Sequence, residues 1–180
     1  MPAMTRLQNI AGLLLVTLSF VTNICNATPD TMQIRKSIVR IAEKISKYKT
    51  VDNKAVGFAG LATDQYKRFY SLTQQATDNE LVILTDHYNE KVRAYAFWAL
   101  AKRNFIDIRI ILDKHLGDTT SFDFYSGCMV TSERINYFFL EVLTPDHIDQ
   151  LCIKLSDKEI NNYYKRITDI TEQKKKLAGI

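Results

Sequence analysis

The sequence predicts an all-α protein, on three observations. From Val92 to Ala101 only Arg93 interrupts an apolar run, so a helix made of it is apolar nearly all round and must be enclosed by neighbours. From Met32 to Tyr48 apolar residues return at three- and four-residue spacing, the period of an amphipathic helix. No stretch alternates apolar and polar residues convincingly enough to read as a strand.

Taken in order, residues 1–27 read as a secretory signal. Arg6 supplies a positive start, Ile10 to Val21 an apolar run, and Cys25 and Ala27 small residues at the −3 and −1 positions of a cleavage site after Ala27. That apolar run, with Thr17 and Ser19 inside it, falls short of the roughly 20 residues a membrane span needs. A lipid anchor on Cys25 is disfavoured because Ile24 stands where bacterial lipoproteins carry a small residue. The expected location is therefore periplasmic or secreted, with no integral membrane span after cleavage. Residues 28–170 would form a single all-α domain, and 171–180 a basic C-terminal tail containing Lys174, Lys175 and Lys176.

Within the domain, Thr28-Pro29-Asp30-Thr31 opens the first helix. Ile34, Ile38, Ile41, Ala42 and Ile45 form its inner face, and Arg35, Lys36, Arg40, Lys44 and Lys47 a basic outer one. Val51 to Lys54 reads as a turn. A second helical region follows from Ala55 to Gln75, where Gly57 and Gly60 mark a close approach or a loop, and Thr63 offers a restart as an N-cap. Asp78 to Leu84 is a short apolar helix, Asp86 to Glu90 a polar break, and Lys91 to Ala101 the central helix. A further helix begins near Ile106 and ends at Gly117-Asp118. Thr119 to Glu133 is an irregular insert. Arg134 to Leu143 resumes a helix, Thr144-Pro145-Asp146 bounds it, and another carries Ile148, Leu151, Cys152 and Leu155. Ser156 and Glu159 stand at capping-box spacing at the head of the last helix.

The centre resembles a HEAT repeat, or the related short HEAT-like α-helical repeats of exported bacterial proteins. The resemblance rests on Leu84-Thr85-Asp86 followed by Val92-Arg93, Ala96 and Ala99-Leu100, and on the return of Leu-x-Asp 32 residues on, at Leu116-Gly117-Asp118. It implies a short α-α superhelix, a solenoid of two or three antiparallel hairpins, with Arg93 paired to the turn acid Asp86. It covers one unit well. After Asp118 the Val-Arg-Ala pattern is missing and Ser126-Gly127-Cys128 occupies its region.

The chemistry-bearing residues form no assembled set. His87, His115 and His147 lack metal-ligand spacing, no Gly-x-x-x-x-Gly-Lys loop is present, and the carboxylates are scattered, so neither metal, cofactor nor catalytic residues are expected. The charge of +4 is spread along the chain, unlike the clustered footprint that nucleic acid requires. Cys128 and Cys152 are available for one disulfide in an oxidising compartment; two separate thiols is the other reading. The expected function is non-enzymatic binding of a protein partner, in an inhibitor, immunity-like or envelope-scaffold role. Candidate contacts are Phe122, Phe124 and Tyr125 of the insert, which read equally well as a plug capping the core, with Tyr95 and Trp98 on one stripe of the central helix. The alternative is a small exported enzyme or ligand-binding protein that uses the 119–133 segment.

Overall fold

The apolar run at the centre of the chain is a helix, and it is enclosed. The computed structural model describes residues 34–179. In it α4 (Glu90–Lys102) has every residue from Val92 to Ala101 buried. The Asn89 side chain caps it by accepting from the Lys91 and Val92 N–H groups. Six other helices of the described residues, α1 (Lys36–Ser46), α2 (Asp64–Gln75), α3 (Asp78–Leu84), α5 (Ile108–Lys114), α6 (Ile135–Val142) and α7 (Asp157–Ala178), complete the helical part. Two of them begin with reciprocal capping boxes, Thr77 with Glu80 and Ser156 with Glu159, each satisfying otherwise orphaned N–H groups. The expected signal segment, its cleavage site and Cys25, and the helix entry at Thr28–Met32, lie outside the described residues.

The all-α solenoid does not hold: the fold is mixed α/β. A three-stranded sheet of β1 (Thr50–Val56), β2 (Ser121–Gly127) and β3 (Met129–Arg134) stands in the order β1-β2-β3. β1 runs parallel to β2, with Thr50 opposite Asp123, and β2 runs antiparallel to β3. The residues expected to be a turn, Val51 to Lys54, are β1. The stretch expected to be an irregular insert is the β2–β3 hairpin. Its two central residues are Gly127, at φ 56°, and Cys128. A positive φ at the first central position is what a tight hairpin turn matched to strand twist requires, and glycine adopts it without a Cβ clash. The α3–α4 hairpin is present, but no second helical pair follows Asp118; the sheet does.

A further helix expected over Ile148 to Leu155 is also absent. Asp146 sits at φ 59°, and the Asp149 carboxylate accepts the Leu151 N–H at 3.0 Å, a local turn that competes with helix. The segment is then pinned by tertiary bonds. Ile153 N–H donates to the Ala101 carbonyl at the end of α4, and Leu155 N–H to Leu143. Lys154 Nζ donates to the Val142 and Thr144 carbonyls at 3.0 Å, closing the C-terminal end of α6. The basic run 174–176 belongs to the last turns of α7.

An aromatic column joins the layers. Phe69 of α2 stacks on Tyr95 and Trp98 of α4, with ring centroids 4.8 and 4.5 Å apart. Trp98 meets Phe138 of α6 edge-on, and Phe138 in turn meets Phe122 and Phe124 of β2 at 5.1 and 5.3 Å. Phe122 and Phe124 point inward while Ser121 and Asp123 point outward, the alternation of a half-buried strand. One face of β2 thus rests on the helices and the other faces solvent, while β3 is exposed along nearly its whole length.

Candidate functional site

Five side chains singled out for binding divide sharply once placed. Tyr95 and Trp98 are 0 and 1 % exposed, and Phe122 and Phe124 are buried under the sheet, so these four are core residues, with only Trp98 reaching the wall of a cleft. The reason is the aromatic column: each ring gains more from its ring neighbours than solvent exposure offers. Tyr125 is half-buried on β2, its hydroxyl so near Gly57 that a Cβ there would lie 3.4 Å away. Cys128 and Cys152 are both free thiols, the first exposed in the hairpin turn and the second buried. Burial pushes the Cys152 thiol up to about 12, and the neighbouring Asp149 charge adds to the effect.

A cleft of about 640 Å³ lies between α2, α4, β1 and the 148–151 segment. Tyr66, Tyr70 and Trp98 form its apolar walls, and Asp149 and Lys102 its polar end. Asp149 Oδ2 accepts from Lys102 Nζ at 2.6 Å and from the Trp98 indole N–H at 3.1 Å. Burial raises the Asp149 carboxyl, yet the Lys102 ammonium and the Leu151 and Trp98 donors outweigh it and hold the group below its ordinary value. The carboxylate is therefore held charged, with Lys102 and Trp98 as its donors. Lys54 of β1 stands exposed at the opposite rim.

Next to the cleft, at the far end of β1, two turns project together. The Gly57 N–H donates to the Gly127 carbonyl at 2.6 Å, tying the 57–61 turn to the β2–β3 hairpin turn, and Val56 bridges Leu61 to close the first. Gly57 and Gly60 have φ of 70° and 61°, which makes this segment a turn and removes it from α2. Its tip is Phe58, at 103 % exposure, beside Leu61 at 67 %; the hairpin bonded to it carries Met129 at 68 % and Val130 at 55 %. From Phe124 to Ser132 no residue is charged, and from Asn53 to Thr63 only Lys54 is. On the sequence alone Phe58 and Leu61 read as the apolar side of a helix, and the structure places them in a turn instead. The glycine pair was the available sign.

The histidines serve turns. His87 Nδ1 accepts the Asn89 N–H at 3.1 Å, and burial lowers its pKa. His115 is buried with Asp86 at 3.4 Å and Asp118 at 3.8 Å; burial lowers its pKa against the pull of both carboxylates. Arg93, expected to pair with Asp86, pairs with Asp118 at 3.0 Å, and Asp86 pairs with Lys114. The guanidinium also holds the 87–88 turn by donating to the His87 carbonyl at 2.7 Å. Among the described residues no group of three or more His, Cys, Asp and Glu side chains is placed to hold a metal ion, and no helix is long and apolar enough to cross a membrane. Compared with known proteins, the chain matches no family model and no curated sequence.

Proposed function

We propose that this chain is a non-enzymatic binding protein that grips a partner protein with the apolar end of its sheet. The observation that carries the reading is Phe58, wholly in solvent at the tip of a glycine turn that is itself hydrogen-bonded to a second apolar turn. A clustered, uncharged apolar projection is costly to leave in water and marks a contact surface. Aromatic anchors in preformed turns suit that role, because little conformational freedom is lost when they dock. Tyr70 and the cleft mouth beside Lys54 extend the surface, and would receive a side chain of the partner. Inhibitor, immunity-like and scaffold roles all use such a surface.

The test uses the full purified chain as bait against envelope extract, with Phe58→Asp/Met129→Asp as the comparison. A stoichiometric partner captured by the parent protein and lost by the double variant, at unchanged thermal stability, supports the reading. Equal capture by both, or capture of nothing, overturns it.

The cleft volume favours a second reading, a small-ligand-binding protein, since about 640 Å³ lies inside the roughly 300–1,000 Å³ of ligand pockets. Trp98 is the sole tryptophan and lines the cleft, so occupancy shifts its fluorescence. A saturable shift with a small ligand, abolished by Lys102→Met, would establish this reading in place of the first.

A further inference from the structure

On the helical side, between α1 and α2, lies an open groove of about 470 Å³. Arg40 and Lys44 line it from α1, and Lys67 and Arg68 from α2, with Asp64 the one carboxylate. Asp64 is already engaged by Lys67 at 2.9 Å. Arg40 and Lys44 form no ion pair among the described residues, although they stand four apart on one helix face, where like charges repel. Lys36 extends the same column by another turn. Arg68 is held in place: its guanidinium lies 5.4 Å over the Tyr48 ring and donates to Gln65 Oε1 at 3.3 Å.

We infer that this groove binds a compact polyanion carrying phosphate or sulfate esters. The remaining lining supports that chemistry: the Ser37 and Ser71 hydroxyls and the Gln75 amide add neutral donors to two guanidiniums and two ammoniums. Tetrahedral oxyanions present several acceptors in a small volume and match such a donor-rich wall. Guanidinium forks bind their oxygens in pairs, and ammoniums supply point charge. An occupant of this kind relieves the repulsion along α1 and bridges α1 to α2. The groove is distinct from the sheet end, so this inference stands or falls apart from the partner-binding reading.

Titration calorimetry on the full chain at low and physiological salt tests it, with inorganic tripolyphosphate and a fully sulfated disaccharide as separate probes. The expected result is saturable one-site binding of at least one probe, the tighter of the two telling a phosphate from a sulfate occupant. Arg40→Glu/Lys44→Glu should then weaken it about tenfold per charge, the scale of a lost charge-assisted hydrogen bond. Lys175→Glu/Lys176→Glu, the same change of charge on α7, should leave it unaltered. Equal weakening by both double variants would reduce the effect to unspecific attraction and overturn the inference. Absence of saturable binding by either probe at low salt would overturn it as well.

Discussion

The hydroxyl of Tyr95 meets both peptide groups of Asp52: it accepts the Asp52 N–H at 2.7 Å and donates to the Asp52 carbonyl at 3.0 Å. Both residues are 0 % exposed. β1 is an edge strand with β2 as its one neighbour, and this phenol, rising from the middle of α4, answers main-chain groups that no strand pairs. Burial drives the Tyr95 pKa well above its ordinary value, so the hydroxyl stays protonated and keeps its donor. Tyr95→Phe therefore leaves a buried N–H and a buried carbonyl without a partner. The expected loss is about 1–3 kcal/mol of unfolding free energy, read by urea denaturation with the slope unchanged. A loss within error would show that the phenol is dispensable to β1.

Arg103 closes the end of α2 from the end of α4. Its guanidinium donates to the Thr73 and Ala76 carbonyls, the latter at 2.8 Å, and pairs with Asp78 at 2.6 Å. Arg103→Ala should cost about 1–3 kcal/mol, because the partners are helix-terminal carbonyls with few other donors. Arg103→Lys should recover only part of this, since an ammonium cannot reproduce the fork. Full recovery by lysine would mean that charge alone matters there.

Glu141 on α6 gives a pH dependence of defined sign. Burial, with the Glu133 charge adding, pushes its carboxyl up to about 7 from an ordinary 4.5. The fold prefers the protonated acid, so its contribution is complete below pH 4.5 and is lost as pH rises to about 7. Glu141→Gln should gain on the order of 1–2 kcal/mol over the parent protein at pH 8, allowing for solvent screening, and nothing at pH 4. His115, lowered by burial, acts in the opposite sense below pH 6.5, where the unfolded chain takes up its proton first. The difference between parent and variant, measured from pH 4 to 8, isolates the glutamate.

The two described thiols should separate in reactivity. At pH 8 iodoacetamide should modify Cys128 readily and Cys152 about a hundredfold more slowly, at a rate set by local opening. Peptide mapping over time, with and without denaturant, reads both. Comparable rates in the native protein would contradict the burial of Cys152.

The helices were legible in the sequence because their information is local. Three- and four-residue spacing marked α1, an apolar run broken only by Arg93 marked α4, Thr63 offered the restart that α2 takes, and the Ser156 box opened α7. β1 was not legible. Thr-Val-Asp-Asn-Lys is mostly polar, and its strand character comes from β2, as in the Asn53–Ser126 bond across 73 residues. β2 was legible in part: Phe122 and Phe124 alternate with Ser121 and Asp123 up to a Gly-Cys turn, but the aromatic cluster suggested an insert. Ile148, Leu151, Cys152 and Leu155 mimic helical spacing, while Asp149 bonds to Trp98 and Lys102 on α4 and holds the segment in turns. For the candidate site, the stripe of Trp98 and Lys102 was visible; the carboxylate that completes the cleft, and the meeting of two distant turns, exist only in three dimensions.

That meeting has a consequence for when the protein is competent. The 57–61 turn lies early in the chain and the 127–130 turn late, and the parallel pairing of β1 with β2 requires the whole of α2 to α5 to be made and packed between them. Such long-range closure is slow relative to helix formation. The two halves of the apolar projection therefore come together only once β1 and β2 have paired across that long separation. A nascent or partly unfolded chain carries Phe58 and Met129 on unconnected segments and cannot present the joint surface. A partner gripping both turns, as proposed, would therefore engage the finished fold alone and so inspect the integrity of the molecule it binds.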